Sequence, residues 1–134
     1  MMGAQGVWVG TRFVASVEAG CSQMHKVEVT TATFDDTVRT LVVSGRPMRV
    51  KANDYIKAWE RQPEKILALT QAGIVPYTKD VDDGVDADRP FLMGQVAAVI
   101  DEIEPAAKIV QDMVDGAVAM LTKGSGYIGV GSRL

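Results

Sequence analysis

Cysteine and histidine are all but missing from this 134-residue chain, which has one of each, Cys21 and His25. A lone cysteine excludes an intrachain disulfide, and one cysteine with one histidine makes no recognisable zinc set, so no metal site is expected. An excess of charge is lacking too. The 14 Lys and Arg stand against 17 Asp and Glu, a net charge of -3 spread along the chain, which argues against DNA or RNA as a partner. No run approaches the ~20 apolar residues that cross a bilayer, and the chain does not open on a basic stretch leading into an apolar one. These absences predict a soluble protein of a reducing compartment, with no membrane or nucleic-acid partner.

What is present suits one small globular domain, 47% apolar, with no internal repeat and no linker-like break. Val7-Trp8-Val9 is a continuous apolar run bracketed by Gly6 and Gly10, which reads as a short strand over residues 6–9. Such a strand is buried on both faces, so it asks for parallel neighbours and covering helices. A helix is expected over 22–32, weakened by Thr30-Thr31, and then an extended run over 37–44 that Gly45-Arg46-Pro47 ends. Residues 53–72 read as helical, with Asn53 as N-cap and a break at Pro63.

Residues 73–90 carry Pro76, Pro90 and Asp80, Asp82, Asp83, Asp86 and Asp88, the composition of an exposed, mobile loop. Helices are predicted over 94–103 and 105–122, the second opening on Pro105 and bearing an apolar stripe of Ile109, Val110, Met113, Val114, Ala117 and Leu121. The glycine-rich tail 123–134 reads as flexible, without periodic structure.

The chemistry concentrates at Gly10-Thr11-Arg12-Phe13, directly after the apolar run. Gly10 lets an anion approach the backbone, the Thr11 hydroxyl donates a further hydrogen bond, and a following helix N-terminus adds a favourable dipole. A glycine there is also what a simple turn needs. Other residues read more plainly. His25 beside Lys26 suits a surface helix position, Arg46 and Arg49 beside Pro47 suit solvent, and Tyr55 with Trp59, at i and i+4, suit packing. The Gly124-Ser125-Gly126 and Gly129-Val130-Gly131 runs have no strand before or helix after them, which argues against a dinucleotide site.

Read whole, Gly3-Ala4-Gln5-Gly6-Val7-Trp8-Val9-Gly10-Thr11-Arg12-Phe13 resembles the eighth-strand signature of nitronate monooxygenases. Asp36-Thr37 with Gly45-Arg46-Pro47-Met48-Arg49 resembles the family's segment after the flavin loop. Leu92-Met93-Gly94-Gln95-Val96-Ala97 resembles its Gly-Gln helix start, and Pro105-Ala106-Ala107 with the following stripe resembles its last helix. The blocks come in the family's order over nearly the whole chain, and together they resemble its C-terminal portion only.

The resemblance implies an FMN-dependent enzyme that oxidises alkyl nitronates with O₂ to a carbonyl compound and nitrite. Its small-molecule partners are the nitronate and O₂. Gly10 and Thr11 would bind the FMN phosphate, and Gln95 matches a glutamine near the cofactor. The family's catalytic histidine lies on an earlier barrel strand, and no residue here matches it. The glycine-rich loop that completes the phosphate site is also unmatched, so this chain by itself is expected to bind FMN poorly. Since a complete (β/α)₈ barrel takes about 250 residues, the fold class expected is α/β, a C-terminal fragment of a TIM-type FMN barrel, mainly helical with a few short strands.

A single incomplete domain follows from the same resemblance: residues 1–21 as last barrel strand and flavin-phosphate loop, 22–90 as a helical and extended insert, 91–122 as C-terminal helices and 123–134 as tail. Met1-Met2 just before Gly3 would then reflect a shortened reading frame or a natural fragment. Two other functions compete: a related FMN barrel of the enoyl-acyl-carrier-protein reductase type, and a noncatalytic helical module that binds a partner, such as a full-length homologue, through an exposed apolar face. A homo-oligomer is a further partner expectation. Ser132-Arg133-Leu134 differs from the peroxisomal address Ser-Lys-Leu by one cation-for-cation exchange. An import receptor is therefore an expected partner and the peroxisome the expected location in a eukaryote, the cytoplasm otherwise.

Overall fold

The structure, a computed structural model, describes residues 5–127. Six α-helices, a 3₁₀ helix and one hairpin follow in the order α1 (Thr11–Val14), α2 (Gln23–Thr30), β1 (Thr37–Thr40), β2 (Met48–Lys51), α3 (Asp54–Glu60), α4 (Pro63–Gln71), α5 (Pro76–Asp82), the 3₁₀ helix (Gln95–Val99) and α6 (Ala106–Ser125). The chain is mainly helical, and its two-stranded sheet is antiparallel, with Thr37 opposite Lys51 and Thr40 opposite Met48.

Local chemistry sets most boundaries. Ser22 accepts the His25 amide at 3.2 Å and starts α2, while Asn53 accepts the Ile56 amide at 2.9 Å and starts α3. Pro63 stands at the first position of α4, where its missing N–H costs nothing, so the expected break at Pro63 is a new helix start. The run expected over 37–44 pairs only to Thr40. It then turns back through Gly45 into β2, forming a hairpin that the sequence reading did not anticipate.

The strand expected over 6–9 does not form. Val7 is 81% and Trp8 101% exposed, and among the described residues no strand lies beside them. A continuous apolar strand is stable only between neighbours that take up its N–H and C=O groups. The loop expected over 73–90 contains α5. Pro76 opens this helix, and Gly84 (φ +78°) closes it with Gly84 and Val85 amides donating to Val81 O and Asp80 O. The helix expected over 94–103 shortens to the 3₁₀ helix, and α6 runs on into the expected tail as far as Ser125. Gly129-Val130-Gly131 and Ser132-Arg133-Leu134 lie outside the described residues.

Two apolar clusters hold these elements. Val42, Val50, Ile56, Trp59 and Ile66 pack the hairpin onto α3 and α4. Ala15, Val29, Ala32, Met93, Ala97 and Ile100 pack α1, α2 and the 3₁₀ helix together. The segment 91–93 joins the two. It lies antiparallel to β2 through a Val50–Leu92 bridge, with the Lys51 amide donating to Phe91 O at 2.8 Å and the Met93 amide to Arg49 O at 3.3 Å. No helix among the described residues is long and apolar enough to cross a membrane.

Candidate functional site

The segment that extends β2 delivers Gly94 to α1. The Gly94 amide donates to Thr11 Oγ1 at 2.9 Å, closing a contact between residues 83 positions apart. A hydroxyl has one donor and two acceptor lone pairs, so Thr11 retains its own hydrogen for an outside acceptor. A Cβ at 94 would stand 3.4 Å from Thr11 Oγ1 and 3.7 Å from Val96 Cγ1, ordinary contact distances, so space alone does not demand glycine there. Its backbone, at φ −82° and ψ 168°, is one any residue adopts.

Several ties fix the corner at Gly10 and Thr11. The Lys26 ammonium, nearly buried on α2, donates to Ser16 O at 2.6 Å and Val17 O at 3.0 Å, holding the chain that leaves α1. Arg12 turns away from Thr11, donating to Glu102 O at 2.8 Å and pairing with the Glu104 carboxylate. Lys108 pairs with the same carboxylate at 2.6 Å. Lys108 and then Arg12 hold Glu104 below the usual carboxylate range. Glu18 accepts the Ala106 amide at 2.8 Å, so the N-terminus of α6 is capped from the segment after α1. A parallel Ser16–Glu104 bridge completes the join.

Gly10, Thr11, Val14, Arg49, Leu92, Met93 and Gly94 line one open cleft of about 320 Å³. The structure thus brings Gly10 and Thr11 together and adds Gly94 and Arg49 to them. Arg49, which its place beside Pro47 assigns to solvent, instead donates through Nη1 to Thr37 Oγ1 at 3.1 Å and Thr37 O at 3.3 Å, which aligns it across the hairpin. Thr37 is the diagonal neighbour of Arg49 across a hairpin in which Arg49 itself stands opposite Arg39, a register the sequence does not announce. Gln95 is exposed at the start of the 3₁₀ helix and is not among the residues lining the cleft.

The other polar and aromatic residues go elsewhere. Tyr55 and Trp59 both donate to Asp80 Oδ2, at 2.9 and 2.8 Å, and Trp59 belongs to the hairpin cluster. They pack, as their spacing suggested. Burial and the bond to Asp80 both push the Tyr55 phenol up from its ordinary range. His25 is half-buried, with Nε2 2.8 Å from Leu92 O and its ring 5.1 Å from Phe91. It braces the joining segment instead of standing free on the surface. Among the described residues, no group of three or more His, Cys, Asp or Glu is placed to hold a metal ion.

Comparison with known proteins gives this geometry a context. The family model described as "Nitronate monooxygenase" matches residues 1–116. A Mycobacterium tuberculosis protein named for a monooxygenase activity is 27% identical over 125 residues, covering 85% of this chain and 33% of that protein. A Staphylococcus saprophyticus protein named for nitronate monooxygenase activity is 36% identical over 66 residues, covering 49% of this chain and 19% of that one. The structure of FabK from Thermotoga maritima matches with a TM-score of 0.69 and 30% identity, covering 89% of this chain and 39% of that one.

The chain therefore spans about a third of the first of these relatives. The sequence reading tied the likeness to the C-terminal portion of the family alone. The match over residues 1–116 corrects this: homology to the family extends over most of the chain.

Proposed function

Because the chain belongs to the nitronate monooxygenase family, we propose that it takes part in the FMN-dependent oxidation of an alkyl nitronate by O₂, giving a carbonyl compound and nitrite. The observation that supports this reading is the Gly94 amide to Thr11 Oγ1 bond at 2.9 Å, which joins two of the family-like blocks in one corner.

That corner suits a phosphate group. The Thr11 and Arg12 amides donate to no acceptor among the described residues, and Thr11 Oγ1 has its hydrogen free. Gly10 has nothing within 4 Å of where a Cβ would lie, leaving its backbone open to a ligand. Gly10 and Thr11 would hold the phosphate of FMN, and Gln95, one residue beyond Gly94, would reach toward the rest of the cofactor. When bound, FMN supplies the redox chemistry, and the protein's share is to fix its position and limit access of solvent. In this reading the described elements belong to the wall of a TIM-type barrel, with Val7 to Val9 as a strand once neighbours are present.

No general base is assigned among these residues. His25, the single histidine, has Nε2 engaged with Leu92 O and lies outside the Thr11 cleft. The test is nitrite release from an alkyl nitronate in the presence of FMN and O₂, run beside reduction of an enoyl thioester. Nitrite formation that depends on FMN supports the reading. Thioester reduction without nitrite would assign the chain to the other FMN-barrel reaction.

A further inference from the structure

The cleft at Thr11 contains one cation that the reading above leaves without a task. Arg49 lines it together with Gly10, Thr11 and Gly94. Among the described residues the arginine forms no ion pair. By contrast Arg12, which follows Thr11 in the chain, is neutralised by Glu104, while Arg39 stands opposite Arg49 in the hairpin. Arg49 is also held in place. Nη1 is directed to Thr37 Oγ1 and Thr37 O, while its Nη2 and Nε donors meet no partner among the described residues. A planar guanidinium fixed along one edge, with another edge free, presents parallel donors of the kind that grip a phosphate or carboxylate.

We infer that Arg49 is the charged arm of an anion cradle whose neutral arm is the Thr11–Gly94 pair, and that the anion it takes is a phosphate monoester. This rests on the reading that Gly10 and Thr11 hold the phosphate of FMN, and it adds the source of neutralising charge. The neutral donors at Thr11 orient the anion. Arg49 lines the same cleft from β2, because segment 91–93 pairs with β2 and docks Gly94 on α1. Thr37 acts on the anion only through Arg49, so it is a positioning residue.

The test is a titration of the 134-residue chain with inorganic phosphate at constant ionic strength, followed by NMR at the Arg49 Nε–H and the Gly94 amide. It is repeated with Arg49→Met and accompanied by fluorescence titrations with FMN and riboflavin. Saturable shifts at both reporters, with phosphate affinity lowered by about tenfold or more in Arg49→Met, are expected for loss of a charge-assisted contact. FMN should lose affinity in that variant while riboflavin, which lacks the phosphate, does not.

Phosphate binding that leaves the Arg49 Nε–H unmoved, or an Arg49→Met chain that binds phosphate like the parent, would overturn the proposal. So would a parent chain that binds no phosphate. If phosphate moves both reporters but FMN binds no better than riboflavin, the Arg49 assignment stands and the flavin reading fails. If FMN binds better than riboflavin with Arg49 unaffected, the flavin reading stands and this assignment fails. Should Arg49→Met not fold, the parent titration at the Nε–H decides by itself.

Discussion

At the scale of single residues, the clearest contrast is between Thr11 and Arg49. The expectation at Thr11 rests on a local signal, a Gly-Thr pair after an apolar run. Arg49 gives no such signal, because its alignment depends on Thr37 twelve positions away and on a hairpin register that composition does not announce. Gly94 lies between the two: the glycine is visible in the sequence, but the partner of its amide, the Thr11 hydroxyl 83 positions away, is visible only in the fold.

Glu104 carries a consequence for pH. Lys108 first, and Arg12 second, stabilise its carboxylate in the folded chain and lower its affinity for a proton. The unfolded chain therefore binds that proton more readily, so this contribution to stability is complete above the ordinary carboxylate range and is lost as pH falls through the lowered value. Thermal melts across acidic pH should show a steeper loss for the parent than for Glu104→Gln. Parallel curves would remove Glu104 from the account of how α6 is tied to α1.

At the scale of elements, capping chemistry was the most readable signal. Asn53 and Ser22 start helices where the sequence placed them, because a side-chain oxygen reaching an amide two or three residues on is a local event. Helix α5 was missed for an instructive reason. Its acidic composition suggested a loop, although Pro76 at its first position and Gly84 just beyond its end mark a helix on both sides. Asp80 is the acid that composition misjudged most, since it accepts from both Tyr55 and Trp59.

Helix α6 shows the opposite case. Of its expected apolar stripe only Ile109 is buried, at 2% exposure, while Val114 and Leu121 are near 50%. Ile109→Ala should destabilise the chain by about 2–5 kcal/mol, the range for emptying a packed aliphatic site. Val114→Glu should change stability by no more than about 0.5 kcal/mol, as for an exposed position. Urea unfolding of the two variants checks both values, and a large loss at Val114 would mean that this face is covered in solution.

At the scale of the whole molecule, the sequence conveyed a family before it conveyed a shape. The strand at 6–9 failed as a local expectation because a doubly buried strand is stabilised by residues remote in sequence. Trp8, fully exposed, is the plainest sign of this. The cleft at Thr11 has the same character: it is built from α1, β2 and the 91–94 segment, and it is open to solvent on its remaining side. An open cradle of this kind should bind FMN weakly and through the phosphate first.

The central claim is that the Thr11–Gly94 corner holds the phosphate of FMN. Its most direct test is a pair of fluorescence titrations, FMN against riboflavin, on the parent chain and on Thr11→Ala. The expected result is tighter binding of FMN than of riboflavin by the parent, with most of that preference lost in Thr11→Ala and riboflavin unaffected. Equal affinity for the two flavins in the parent, or a preference that survives Thr11→Ala unchanged, would contradict the claim.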